Sequence, residues 1–514
     1  MSEKSAFLKE CYERLHDDLR QIDEFVQKIT ANAYLNVYLI SNPVLSRSPF
    51  NTKLFHNFHF RIPARTINNY ELLWKLIKFY LKSLIYLANH VASWIAVRVF
   101  FRYTFKCVDN SVIIDNFLLV ESTLANRSYE EKYFPGLQEV LLRHAKDVYI
   151  FPSIYGGVSL FSNCLQLFRI IRNSPVSIIT EYDLLKAADF LSLARFICFY
   201  PFAVIRLSQQ IDNSCYLGKL LSSELLETLD QVTAYSYIRY LTGKRLRYLF
   251  KGEITVISWF ENQTQQKNFF RSLRDASQNS SIYACRAYID YPAYLNSFVA
   301  EAEVSCGVTP DKVLVNGTAY MKRSDNLEYR LGVSFRYKYL FNPITGLVDH
   351  KTQSLLFLSY FYERNKEFLN LCSSSVLTHQ SVKVRTHPAD TRSSDLMLPA
   401  KWAFDVSDKC SIFNNVAIII TSESGIAVEA AALGVSVIVV ANQSSFTCNP
   451  MFDYGRGVIW DIVFDSVELD SVYKLLMEQR LTNIEEIIRI AEWYKSSCFV
   501  EPSEDNILRA FDLT

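Results

Sequence analysis

The chain has 514 residues, too many for one ordinary hydrophobic core, so it divides into two or more domains. Hydrophobic residues make up 50% and charged residues 21%, which excludes an intrinsically disordered chain, and a formal net charge of +1 argues against a general nucleic-acid binder. Eleven scattered cysteines, with no CxxC pair, point to reduced thiols in a cytoplasmic protein rather than a disulfide framework or a zinc site.

The opening stretch, MSEKSAFLKECYERLHDD, is polar and has no apolar signal-peptide core. Residues 5–29 predict an amphipathic helix. Residues 71–103 predict a second helical region, in which Trp74, Trp94, leucines and isoleucines mix with Lys75, Lys78, Lys82, Arg98 and Arg102. A basic, aromatic-rich helix suits an anionic membrane surface; alternatively its apolar face packs on the next domain. Asn89, His90 and Arg98 interrupt it short of the ~20 apolar residues that a membrane span needs. Residues 1–105 read as a mainly helical N-terminal extension.

From Val112 the pattern becomes α/β. Strands are expected at residues 112–121, 146–153, 177–180, 253–260 and 281–287, with helices at 133–145, 222–240, 266–276 and 295–306. Residues 184–205 form an apolar helical run broken at Pro201, a second candidate for membrane contact. A second α/β series begins at Val313. It holds a strand near 354–358, a strand ending at His387-Pro388, and closing helices at 484–494 and 503–511. Two such series imply two Rossmann-like domains facing a cleft, residues 106–310 and 311–514, with the border in the 307–312 loop.

The plainest unit is VAIIITSESGIAVEAAALGVSVIVVAN, residues 416–442, which reads strand, helix, strand. Its first strand ends in Thr421, Ser422, Glu423, Ser424 and Gly425. Hydroxyls and free N–H groups at a helix start make an anion site, or a serine there is simply the helix cap.

Five stretches together resemble the GT-B glycosyltransferases of bacterial surface polysaccharide synthesis: residues 117–152, 257–277 and 291–320, then VKVRTHP at 382–388 and TSESGIAVEAAALGVSVIVV at 421–440. The resemblance spans roughly residues 110–500 and is nearest in pattern to HP-motif capsule and lipopolysaccharide transferases that use CMP-activated Kdo, sialic or pseudaminic acid. CDP-glycerol polymerases carry similar motifs, and a UDP- or GDP-hexose donor would keep the same fold. The resemblance implies a donor site on the C-terminal domain; because no DxD ends an apolar strand, no essential metal is expected, nor any cofactor. In it, His387 beside Arg385 donates to the donor phosphate or leaving oxygen, Thr421, Ser422, Ser424 and Gly425 hold the same phosphate, and Glu429 accepts from the ribose. Gly317 and Thr318 resemble the glycine turn where backbone approaches the phosphate. The acceptor would be a nascent polysaccharide or lipid-linked glycan, with the protein at the inner face of the cytoplasmic membrane.

A transferase also needs a base or nucleophile on the acceptor side. Glu261 ends the apolar strand VISWF, with Asn262 and Gln263 placed to orient it; alternatively it caps the following helix. Glu121, Glu181 and Asp183 occupy comparable strand ends. Arg286 and Asp290 are candidates for the acceptor or a sugar carboxylate, or form a surface ion pair. A non-enzymatic glycan-binding scaffold is the remaining alternative.

Overall fold

The computed structural model describes residues 3–49, 52–105, 111–144, 146–156, 161–230, 233–250, 252–277, 279–342, 352–387, 390, 392–407 and 412–513. Two six-stranded sheets organise it. The first contains β1 (Ser111–Asp115), β3 (Val148–Ile150), β5 (Ile254–Trp259), β6 (Ser280–Arg286), β7 (Lys312–Val315) and β8 (Glu328–Leu331), in the order β3-β1-β5-β6-β7-β8. The short strands β2 (Phe117–Leu119) and β4 (Ser153–Tyr155) pair separately beside it. The second sheet runs β11-β10-β9-β12-β13-β14. Its members are β9 (Gln353–Phe357), β10 (Val382–Arg385), β11 (Trp402–Phe404), β12 (Val416–Thr421), β13 (Ser436–Val440) and β14 (Trp460–Val463).

Every pairing in both sheets is parallel. Parallel strands are covered by helices on both faces, which is why β12 and β13 are apolar along their length and wholly buried. A parallel bridge between Ile150 and Ile178 extends the first sheet beyond β3. The strand order reverses between β1 and β5 in one sheet and between β9 and β12 in the other. Such switch points open a crevice at the carboxyl ends of the strands. This is the two-domain GT-B plan expected from the sequence, with a helical N-terminal region.

The border between the sheets is not at 310/311. Lys312–Val315 pairs with β6 and Glu328–Leu331 pairs with β7, so both belong to the first sheet, and the second begins at β9. The chain also returns at its end. After the Ile484–Cys498 helix, Phe511 packs edge-on against Tyr283, and Asp512 meets Lys312 at 2.5 Å and Arg330 at 2.6 Å, all on the first domain.

The N-terminal region shares a core with the helices inserted between β4 and β5. Leu15, Leu19, Ile22, Phe55 and Phe79 are buried with Phe196, Tyr200, Leu221 and Ile238. The Glu3–Ala33 helix also reaches the second domain, where Tyr12 Oη accepts from Asn449 Nδ2 at 3.0 Å. Pro201 does not break its helix, which runs unbroken over Ala187–Gln210 with Pro201 on the buried side.

Candidate active site in the inter-domain cleft

The carboxyl ends of the two sheets meet. At Gly425, which opens the Ile426–Ala432 helix, an added Cβ would lie 3.0 Å from Ile289 and 3.2 Å from the Tyr291 hydroxyl, both in the loop after β6. Tyr291, stacked on Tyr294, thus lies directly against Gly425 at the end of the serine-rich turn. The turn itself is mostly committed to the fold. Thr421 Oγ1 donates to the Phe357 carbonyl, Ser422 is buried, and Ser424 Oγ accepts weakly from Ile426 N at 3.4 Å. Glu423, not singled out from sequence, is half-buried and takes two 2.9 Å contacts from Arg364. Burial pushes its carboxyl up, and Arg364 opposes that. Glu429 is buried and accepts from the Tyr339 hydroxyl rather than standing on a helix surface.

Several sequence candidates prove to be structural. Gly317 does not line a phosphate turn. It belongs to the first domain, and a Cβ there would lie 2.2 Å from the Ser497 carbonyl, so glycine is required by the approach of the Ile484–Cys498 helix. Thr318 Oγ1 donates to that same carbonyl. Arg385 holds the edge of its own sheet, donating to Asp405 at 2.8 Å and to the Ser407 carbonyl at 2.6 Å. Arg286 and Asp290 are a buried pair at 3.0 Å, not a surface one. Gln263 caps the Thr264–Ala276 helix in a reciprocal exchange with Gln266. Asn262 turns away from Glu261: it adopts a positive φ of 51° and its amide donates to Glu303 at 3.0 Å. Asp183 is ion-paired to Arg172 and caps its own turn. Glu181 is buried 3.0 Å from His90, in a separate pocket with Tyr86 and Tyr235. Glu121 is exposed on the first turn of the Val120–Asn126 helix. Pro388 lies outside the described residues.

What remains is Glu261, His387 and a residue the sequence did not flag, Arg336, whose charge acts on both. Glu261 follows β5, and the Asn296 amide fixes its backbone carbonyl at 2.7 Å. Its half-buried carboxylate receives one direct donor, Trp259 Nε1, at 2.9 Å. Desolvation raises its pKa, opposed by that N–H and by the Arg336 charge. His387 lies two residues beyond β10 and sits edge-on to Tyr360, ring centroids 5.8 Å apart. Burial lowers its pKa; Asp390 pulls it up and Arg336 pushes it down. Arg336 is exposed and lies 5.7 Å from the Trp259 ring centroid. It acts electrostatically on Glu261 from one domain, on His387 from the other, and on Tyr133 beside Trp259. No hydrogen bond or ion pair to Arg336 occurs among the described residues.

A carboxylate with a raised pKa accepts a proton near neutral pH more effectively than an ordinary one. An exposed guanidinium and a neutral imidazole supply donors for a developing negative charge. Arg336 is within electrostatic reach of both Glu261, on the first domain, and His387, on the second. Among the described residues there is no cluster of three or more side chains suited to hold a metal ion.

No family model matches the sequence, and no curated protein matches it significantly. Solved structures of similar plan include UDP-GlcNAc 2-epimerase from Neisseria meningitidis bound to UDP-GlcNAc, at 11% identity and a TM-score of 0.42, covering 79% of this chain and 100% of that one. MurG of Acinetobacter baumannii is similar at 10% identity and a TM-score of 0.41, with 79% and 100% covered. The S. aureus MnaA–UDP structure aligns at 12% identity and 0.42, with 79% and 98% covered. Likenesses this distant carry nothing about the reaction, and one fold hosts many activities.

Proposed function

We propose that this protein is a glycosyltransferase that moves a sugar from a nucleotide-activated donor to a glycan acceptor in the cleft between its two domains. The observation that supports it best is Glu261, a carboxylate whose pKa desolvation raises, within electrostatic reach of Arg336, which also acts on His387 of the other domain. Glu261 takes the proton of the attacking acceptor hydroxyl. The hydroxyl oxygen bonds to the anomeric carbon as the bond from that carbon to the donor phosphate breaks. The nucleotide leaves as an anion, and Arg336 and His387 stabilise its phosphate.

Among donors, one specific observation favours a neutral hexose on a nucleoside diphosphate, such as UDP or GDP, over a CMP-linked acid sugar. An acid sugar needs a cation for its carboxylate, and Arg286, the arginine put forward for it, is sequestered with Asp290 in the interior. In the acid-sugar reading Arg336 would have to meet both carboxylate and phosphate.

Thermal denaturation with CMP, CDP, UDP, GDP and dTDP tests the assignment. A nucleotide at about 100 times its Kd stabilises by about 2.7 kcal/mol when it binds only the folded state. Stabilisation by UDP or GDP, lost in Arg336→Ala, supports the hexose reading. Stabilisation by CMP alone restores the acid sugar. No effect from any nucleotide at millimolar concentration removes the donor-site assignment.

A further inference from the structure

Two helices are long and apolar enough to cross a membrane by length and composition, Asn69–Phe100 and Ala187–Gln210. Neither is positioned to do so, because each is held along one side by the protein. The first starts in a complete capping box between Asn68 and Glu71. Its inner face buries Phe79, Ser83, His90, Ser93 and Val97. Trp94 Nε1 donates to the Leu185 carbonyl at 2.9 Å, and Arg98 donates to the Asp183 carbonyl at 2.8 Å.

The outer face is apolar where an ordinary surface helix would be polar. Trp74 is 65% exposed, Leu81 57% and Ile85 63%, and Ile77, Leu84 and Ile95 continue the same stripe at helical spacing. The second helix lies alongside: Tyr80 Oη donates to the Cys198 carbonyl at 3.2 Å, and Phe79 stacks on Tyr200. Its exposed Phe199 and Phe202 therefore extend the stripe into a plate. A monomeric soluble protein seldom leaves so large an apolar patch uncovered.

Charge selects the occupant. Arg195 and Arg206, both exposed on the second helix, border the plate. Of the acidic residues, Glu71 is paired with Arg65 and Asp189 with Arg245. A second copy of this face would set like charges against each other across a two-fold axis. An anionic bilayer instead accepts aromatic and aliphatic side chains at its interface while its headgroups meet the basic border. We propose that the two helices dock side by side, in the plane of the interface, on an anionic lipid bilayer. The inference does not depend on the reaction in the cleft.

Cosedimentation tests it, with vesicles of phosphatidylcholine alone and of an equimolar phosphatidylcholine–phosphatidylglycerol mixture. The full chain is expected to bind the anionic vesicles and to release as salt rises. Each of Arg195→Gln and Arg206→Gln should weaken binding about fivefold. Leu81→Glu with Ile85→Glu should abolish it, while the far-ultraviolet circular dichroism stays that of the wild type. Quenching of tryptophan fluorescence by brominated lipid, present in the wild type and reduced in Trp74→Phe, reports insertion without relying on the double variant. Absence of binding at low salt overturns the proposal. So does equal, salt-independent binding to both vesicles, or a dimer that Leu81→Glu dissociates in a protein that binds neither.

Discussion

Two glutamates in the first domain, joined by one asparagine, show how surroundings divide structure from chemistry. Glu303 is fully buried, and Lys267 Nζ, Arg47 and the Asn262 amide reach it at 2.7, 3.2 and 3.0 Å. Although burial pushes the other way, the two cations drive its pKa down to about 2. Glu261 precedes Asn262, has one N–H donor, and is displaced upward by desolvation. Both carboxylates are taken partly or wholly out of water, and the number of fixed positive partners sets the sign of the shift. The charged state of Glu303 ties Arg47 of the N-terminal region to the Glu301–Ser305 helix of the first domain. That of Glu261 is the one proposed to take the acceptor's proton.

The comparison breaks if the two residues can exchange roles. Glu261→Gln should lower turnover about 10²- to 10⁴-fold, as loss of a general base does, with little change in nucleotide affinity and no loss of stability. Glu303→Gln should do the opposite. It leaves the buried Lys267 without its anion and Arg47 with Asp23 alone, and should cost about 3–5 kcal/mol in urea unfolding. The pH dependence follows from the depressed pKa. Glu303 contributes stability that is complete above the unfolded carboxylate value of about 4.3 and is lost as pH falls toward the folded value. In Glu303→Gln that part of the acid sensitivity should disappear.

Smaller effects sharpen the picture. Arg336→Ala removes a charged donor from the cleft and should weaken nucleotide binding by about 1.5–3 kcal/mol in calorimetry, with unfolding unchanged. Asn262→Ala loses a bond to Glu303 and places alanine at a positive φ; a stability loss of about 1.5 kcal/mol is expected, together with a moderate fall in turnover as the backbone beside Glu261 loosens.

The Val416–Thr421 strand, the helix after it and the Ser436–Val440 strand were legible because doubly covered parallel strands read as unbroken apolar runs. Glu261 was legible because it ends such a run. The domain border was not, since KVLV has the same pattern whichever sheet it joins, and its partner β6 is known only from the fold. Gly317 looked like a phosphate turn because the Ser497 backbone that demands glycine lies far along the chain. Arg286 looked exposed because its burial depends on Phe260 and Phe298, which come together only in the folded protein. Arg336 carries no local signature: it becomes notable only where the segment Phe335–Phe341 passes between the two sheets.

The central claim is that the carboxylate of Glu261 is the reacting base, and the pH profile of kcat/KM tests it most directly. The substrate is the sugar of whichever nucleotide stabilises the fold, and the comparison is wild type against Glu261→Gln. A base must be ionised, so wild-type kcat/KM should fall with pH through a value above the usual carboxylate range, and the residual activity of Glu261→Gln should lack that acid limb. The same limb in both proteins, at an undiminished rate, would contradict the account.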